Sequence, residues 1–163
     1  MRLREPVSTD VQTTFNELVQ RRTGGAPVAY LTGHREFMGL DFMVSPAVLI
    51  PRPETELLVE WAIAWLQRRQ RAEVVDIGTG SGAIAISLAA TIDPSHQVTA
   101  SDISATALAI ATQNANTVLS PPQRERLRFV QGSLLDWRTE PVDLILANLP
   151  YLTPDQIAGN PDL

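Results

Sequence analysis

The sequence predicts an α/β protein whose core is a parallel β-sheet. From Glu73 onward, apolar segments of strand length alternate with segments of helical periodicity. A glycine-rich turn at residues 78–82 follows the first of these strands, and an acidic residue, Asp102, follows the second. Because such alternation gives right-handed crossovers between parallel strands, these observations indicate a doubly wound, Rossmann-like sheet.

The elements of the sheet follow from the local patterns. Apolar, β-branched runs predict strands near residues 73–77, 97–101, 127–131 and 142–147. Apolar residues at helical spacing predict helices near 82–90 and 104–117. The first two strands are each followed by a predicted helix that can cross back over the sheet.

Smaller elements are predicted before the sheet. A helix over residues 10–22 ends at Gly24-Gly25, and a hairpin is expected from two short strands, 35–38 and 41–44. Pro51-Arg52-Pro53 forms a stiff elbow before a further helix. The predicted buried stripe of that helix is Leu57, Leu58, Trp61, Ala62 and Trp65.

Composition narrows the range of functions. The chain has 163 residues, no cysteine and only two histidines, so thiolate chemistry is excluded and no metal site is predicted. The net charge of −5 favours a protein or small-molecule partner over nucleic acid. No apolar run approaches the roughly 20 residues that cross a bilayer, so a cytoplasmic location without a membrane partner is expected.

The glycine loop indicates a nucleoside-binding site. Glycines allow a tight turn and the close approach of a ligand, and the carboxylate of Asp102 can accept hydrogen bonds from both hydroxyls of a ribose. The predicted cofactor-binding residues are Asp76, Gly78, Thr79, Gly80, Gly82, Asp102 and Asn148.

The loop alone leaves the kind of nucleoside open. Gly78, Gly80 and Ala83 also satisfy the dinucleotide pattern, so a nicotinamide-dependent oxidoreductase is compatible with it. The form Asp-x-Gly-x-Gly-x-Gly, which begins at Asp76, resembles the first motif of class I methyltransferases. That resemblance implies S-adenosylmethionine as the cofactor, with the loop around its methionine part.

A second motif, Asn148-Leu149-Pro150-Tyr151, ends the fourth predicted strand and should face the same crevice. It resembles the Asn-Pro-Pro-Tyr motif of methyltransferases that act on planar nitrogens. The Asn148 side-chain oxygen and the carbonyl of residue 149 can hold the N–H groups of an amide, and Tyr151 can pack on its flat face. The predicted catalytic residues are Asn148, Pro150 and Tyr151, and all four residues are predicted to bind the substrate.

Leu149 departs from the family pattern, which has proline at that position. The carbonyl acceptor is retained, and Pro150 still biases residue 149 toward an extended backbone. Asn-Leu-Pro-Tyr also resembles the corresponding motif of ribosomal RNA adenine dimethyltransferases. An adenine N-methyltransferase acting on RNA or DNA is therefore the alternative enzyme.

The segment before the glycine loop resembles the HemK/PrmC family. The string Pro51-Arg52-Pro53-Glu54-Thr55-Glu56 is its most specific part, and the resemblance covers about residues 15–157. It implies methyl transfer to the side-chain amide of the glutamine in the Gly-Gly-Gln motif of peptide chain release factors. Arg52 and Glu56 lie about one helical turn apart and are candidates for shaping the site. Ser133 occupies the position at which the family more often has an acidic residue near the adenine of the cofactor.

The resemblance also divides the chain into two parts. Residues 1–50 are expected to be a remnant of a helical substrate-recognition domain with a hairpin linker, and residues 51–163 the N-terminal part of the methyltransferase domain. Family members continue past the tetrapeptide with further strands, so the sheet is expected to be incomplete C-terminally. A non-catalytic cofactor-binding remnant is therefore the second hypothesis.

Overall fold

The structure is a computed structural model that describes residues 7–149. Its strands are β1 (His34–Phe37), β2 (Leu40–Met43), β3 (Glu73–Ile77), β4 (Gln97–Asp102), β5 (Leu127–Gln131) and β6 (Leu144–Ala147). Its α-helices are α1 (Thr9–Thr23), α2 (Val28–Thr32), α3 (Glu56–Leu66), α4 (Ala83–Thr91), α5 (Ala105–Val118) and α6 (Pro121–Arg124). A 3-10 turn, Pro53–Thr55, leads into α3.

Strands β3 to β6 form one parallel sheet in the order β5-β4-β3-β6. From β3 the chain adds β4 and then β5 on one side, and β6 then pairs with β3 on the opposite side. This strand order confirms the predicted doubly wound sheet. Residues 74–77 of β3 are all buried, and this strand pairs with β4 on one side and with β6 on the other. The switch of direction lies between β3 and β6, at the carboxyl ends where ligands bind in such folds.

Helix α4 is enclosed by protein on all sides. Residues 83–89 are all buried, because the helix contacts α3, α5 and the sheet. Gly82 at its N-terminus has a φ of +84°, and an added Cβ would lie 2.6 Å from the Ile86 side chain and 3.1 Å from the Ala111 Cβ. A glycine is therefore required here for the approach of α4 to α5.

The β1–β2 hairpin is tied to the sheet through Asn114 on α5. The buried Asn114 side chain accepts a hydrogen bond from the Met43 N–H at 2.8 Å and donates to the Met43 carbonyl at 3.0 Å. It also donates to the carbonyl of Ser81 in the glycine loop at 2.8 Å. One buried amide thus connects the hairpin to the loop that begins α4.

Several local predictions were wrong in detail. The hairpin strands begin and end one residue earlier than predicted, and the short helices α2 and α6 were not predicted at all. Helix α3 buries Val59, Ala62 and Leu66, whereas Trp61 is 71% exposed. The helix is apolar around most of its circumference, so periodicity alone did not identify the buried side.

Helix α1 begins at Thr9, one residue before the predicted start, and the Ser8 hydroxyl caps it by accepting from the Val11 N–H at 3.4 Å. None of its residues is buried, so its apolar face, which includes Phe15 and Val19, is exposed. Within residues 7–149, no helix has the length and apolar character needed to span a membrane.

Candidate cofactor and acceptor site

A cavity of about 480 Å³ opens at the carboxyl ends of the parallel strands. It brings together five of the predicted site residues, namely Gly78, Gly80, Asp102, Asn148 and Leu149. Its volume lies within the range of about 300–1,000 Å³ that small-molecule sites occupy. A smaller cavity of about 50 Å³ adjoins it and is lined by Thr55, Thr79 and Asn148, among others.

The three glycines of the loop serve different purposes. Gly80 has a φ of +56° and no atom within 4 Å of an added Cβ, so it leaves open space for a ligand. Gly78 instead accommodates the Leu149 side chain, which occupies the position that a Cβ would take. Gly82 lines neither cavity and is required for the packing of α4. A direct contact between Gly82 and a cofactor is therefore not favoured by this geometry.

Asp102 ends β4 and is held in place by two backbone amides. One carboxylate oxygen accepts from the Gly80 N–H and the other from the Ser104 N–H, each at 2.9 Å. Each oxygen of a carboxylate can accept about two hydrogen bonds, so both retain capacity for a ligand. The side chain is thus fixed with both oxygens available to a pair of hydroxyl groups.

Apolar side chains form the walls of the larger cavity. Leu49, Ile103 and Leu134 line it and are each more than half exposed. Exposed apolar side chains around a concave site favour a ligand with a flat apolar surface. Ser133 also lines this cavity, so the position at which the family more often has an acid does lie beside it.

Asp76 lies beneath the glycine loop and lines neither cavity. Its side chain is fully buried and accepts a hydrogen bond from the Thr79 hydroxyl at 2.6 Å. Burial raises the pKa of this carboxyl from 3.8 to about 6, although the Thr79 hydrogen bond opposes the rise. The arrangement fixes the shape of the loop and does not favour the predicted contact between Asp76 and a cofactor.

The pKa of Asp76 predicts a dependence of stability on pH. A carboxyl whose pKa is raised by folding holds its proton more tightly in the folded chain, so its stabilising contribution is present at low pH and is lost as the pH rises through about 6. Between about pH 5 and pH 7, the wild-type chain should lose about 1 kcal/mol more unfolding free energy than the Asp76→Asn variant. Urea unfolding at both pH values measures this difference, and parallel curves for the two chains would contradict it.

Asn148 lies immediately after β6, between the two cavities. Its side-chain nitrogen donates a hydrogen bond to the Thr55 hydroxyl at 3.1 Å. Leu149 follows and is 38% exposed, with its side chain against Gly78. Pro150 and Tyr151 lie outside the described residues, so their predicted roles stay predictions.

The Pro-Arg-Pro-Glu-Thr-Glu string contributes two further contacts. The carboxylate of Glu56 accepts from the Met38 N–H at 2.8 Å and so fixes the turn of the hairpin, while Arg52 is exposed. Thr55 reaches Asn148, as described above. Sequence reasoning missed both Thr55 and Asn114, because each makes its contact with residues far away in the chain.

The fold and the site together define a class I methyltransferase domain. A sequence profile described as a methyltransferase domain matches residues 74–159, and the chain belongs to that family. This membership confirms the predicted class, an S-adenosylmethionine-dependent methyltransferase domain, over the nicotinamide-dependent alternative. A second profile, the PrmC N-terminal domain, matches residues 1–33.

Curated relatives confirm the resemblance to the HemK/PrmC family. The chain is 46% identical to the release factor glutamine methyltransferase of Bordetella pertussis, with 91% of this chain and 53% of that protein covered. It is 42% identical to the protein of the same name from Moorella thermoacetica, with 98% of this chain and 56% of that protein covered. The chain thus spans about half the length of the curated relatives that it matches.

Solved structures share the fold. The methyltransferase domain of bacterial CtHen1-CN superposes with a TM-score of 0.50 at 24% identity and covers 64% of this chain and 56% of that chain. A putative RNA methyltransferase from Pyrococcus horikoshii also gives a TM-score of 0.50, at 16% identity, and covers 64% of this chain and 48% of that chain. At these identities the similarity concerns the fold alone.

Proposed function

We propose that this chain transfers a methyl group from S-adenosylmethionine to the side-chain amide nitrogen of the glutamine in the Gly-Gly-Gln motif of peptide chain release factors. The observation that carries the proposal is the position of Asn148, which lies at the end of β6 beside the glycine loop. The names of the curated relatives support a release factor glutamine as the acceptor. The proposal keeps the expectation that the enzyme works in the cytoplasm.

In this proposal, the larger cavity holds the cofactor. Each carboxylate oxygen of Asp102 accepts one hydrogen bond from a backbone amide, Gly80 or Ser104, and can accept another. These remaining positions accept hydrogen bonds from the ribose hydroxyls. Leu49 and Ile103 contact the adenine ring, and the open side of Gly80 admits the methionine part. S-adenosylmethionine, when bound, supplies a methyl group on a positively charged sulfur. Asp76, Thr79 and Gly82 act indirectly, by holding the loop in shape.

The acceptor amide is held by the residues after β6. An amide nitrogen is a poor nucleophile because its lone pair is delocalised into the carbonyl. The Asn148 side-chain oxygen and the Leu149 carbonyl accept its two N–H groups and so orient the lone pair toward the methyl. The proposal keeps the roles predicted from the sequence for Tyr151, which would pack on the flat face of the amide, and for Pro150, which would keep residue 149 extended. The new N–C bond forms as the C–S bond breaks, and the nitrogen then releases a proton to water without a strong base.

A transfer assay tests this proposal. The purified chain is incubated with S-adenosylmethionine labelled in its methyl group and with a release factor, in parallel with a factor whose Gly-Gly-Gln glutamine is replaced by alanine. We expect label on the native factor only. No label on the native factor, from a folded chain that binds the cofactor, would contradict the proposed acceptor.

One observation favours a different acceptor. Leu149 matches the form of the motif found in adenine dimethyltransferases, and the same pair of oxygens could hold the exocyclic amine of adenine. The transfer assay therefore includes an adenine-containing RNA and DNA. Label on nucleic acid alone would assign the chain to this second function, and a folded chain that transfers label to none of these acceptors would support the non-catalytic hypothesis.

A further inference from the structure

We propose that Thr55 is a positioning residue, which holds the Asn148 amide in place so that its oxygen can face the acceptor nitrogen. The inference rests on the proposed function, since it assigns that orientation to methyl transfer. Thr55 belongs to the 3-10 turn before α3 and lies 93 residues before Asn148 in the sequence. The contact between them joins the segment preceding the sheet to the end of β6.

The hydrogen bond to Thr55 occupies one end of the Asn148 amide and leaves the other end available. The two ends differ, because the nitrogen only donates and the oxygen only accepts. The Nδ2 atom donates to the Thr55 hydroxyl at 3.1 Å, and no second hydrogen bond joins this side chain to a residue between 7 and 149. The oxygen, at the opposite end, remains able to accept from an N–H group of the substrate.

Without such a partner the Asn148 side chain would not be held in place. The terminal torsion of asparagine is broad and roughly two-fold, so a free amide presents either end to its surroundings. The substrate amide nitrogen presents N–H donors to Asn148. A reversed Asn148 side chain would bring its own N–H donors against them. The Thr55 hydroxyl can accept from Nδ2 or donate to the oxygen, so it holds the amide in either orientation. When the substrate N–H is present, only the orientation in which Nδ2 donates to Thr55 satisfies both ends of the amide.

Thr55 itself is held firmly. Its backbone N–H donates to the Arg52 carbonyl at 3.0 Å, and the next residue, Glu56, accepts from the Met38 N–H at 2.8 Å. A β-branched side chain such as threonine also has a restricted χ1 torsion. The Thr55 hydroxyl is thus held in a fixed position and can restrain the Asn148 amide through their hydrogen bond.

The position of Thr55 separates this role from cofactor binding. Thr55 lines the smaller cavity with Asn148, whereas the larger cavity, which contains Asp102, does not include it. Loss of the hydroxyl should therefore affect the orientation of the acceptor and leave the cofactor affinity unchanged. A residue with a purely structural role would not produce that difference.

The test compares three variants of the full chain. Thr55→Val keeps the shape of the side chain but removes the hydroxyl, Thr55→Ser restores it, and Thr117→Val removes an exposed hydroxyl on α5 as a control. We expect Thr55→Val to lower kcat about tenfold with the dissociation constant of S-adenosylmethionine changed less than about twofold. Thr55→Ser should recover most of the lost rate, and Thr117→Val should match the wild type.

Nuclear magnetic resonance gives a readout that does not depend on activity. In a ¹⁵N-labelled chain, the side-chain amide signals of Asn148, assigned by their loss in Asn148→Ala, should shift in Thr55→Val and return in Thr55→Ser. Unshifted signals, an unchanged kcat in Thr55→Val, or a serine variant as slow as the valine variant would each overturn the proposal. A wild-type chain that transfers no methyl group would contradict the proposed function instead, and the amide signals would still decide whether Thr55 holds the Asn148 amide.

Discussion

Replacing Asn148 with alanine is expected to lower kcat for methyl transfer by about 10²–10³-fold, the loss that follows removal of one positioned polar group from a reaction centre. The side chain provides one of two acceptors proposed for the substrate N–H groups, and it lies beside the glycine loop at the end of β6. The backbone carbonyl of Leu149 remains in the variant, so activity should be reduced rather than abolished. Single-turnover label transfer measures the change.

The control for this substitution separates chemistry from folding. Asn116→Ala removes an exposed asparagine side chain from α5 and should keep the wild-type rate. In Asn148→Ala the affinity for S-adenosylmethionine should fall far less than kcat, because Asp102 and the apolar walls of the larger cavity are retained, and Asn116→Ala should match the wild-type affinity. An Asn148→Ala chain with a kcat within a few-fold of the wild type would remove Asn148 from the proposed mechanism.

Replacing Asp102 with alanine is expected to weaken S-adenosylmethionine binding by about 10²-fold, since hydrogen bonds to a charged group contribute about 1.5–3 kcal/mol. The carboxylate is fixed by the Gly80 and Ser104 amides and keeps capacity for both ribose hydroxyls. Isothermal titration calorimetry measures the loss. Asp102→Asn keeps one oxygen acceptor and should lie between the alanine variant and the wild type.

Asp102→Ala also leaves the Gly80 and Ser104 amides without their partner, so its effect on folding must be measured separately. Thermal unfolding without cofactor gives the loss of stability, and calorimetry below that transition gives the affinity of the folded chain. Binding as tight in the folded alanine variant as in the wild type would show that the cofactor does not use this carboxylate.

The parallel sheet was predictable because its signals are local and repeated. Each strand is a short apolar run, and each crossover helix has its own periodicity, so the alternation after Glu73 was enough to predict the order of the elements. The glycine turn and Asp102 were predictable for the same reason, since topology brings the carboxyl ends of β3 and β4 together. Gly78, Gly80 and Asp102 do line one cavity in the structure.

The contacts across the chain were not predictable. The bonds of Thr55 to Asn148 and of Asn114 to Met43 join residues 93 and 71 positions apart, and no local pattern encodes them. The separate roles of the three glycines in the loop were also not predictable, because the sequence pattern is the same for all three. Only the packing around them shows that Gly80 faces open space while Gly82 faces Ile86.

The buried side of α3 was also not predictable from the sequence. Leu57 and Trp61 were assigned to the core on spacing, yet both are exposed. A helix that is apolar on most sides has several faces of similar hydrophobicity. The face that contains Val59 and Ala62 is the buried one, and α3 packs against α4. Sequence periodicity therefore predicted the helix but not its rotation about its axis.

The most direct measurement is the mass-spectrometric location of the transferred methyl group on a release factor treated with this chain and S-adenosylmethionine. One methyl group is expected on the side-chain nitrogen of the Gly-Gly-Gln glutamine, and its transfer should be about 10²–10³-fold slower when Asn148→Ala replaces the wild-type chain under the same single-turnover conditions. A methyl group on any other residue, or transfer at an equal rate by the Asn148→Ala chain, would contradict the proposed mechanism.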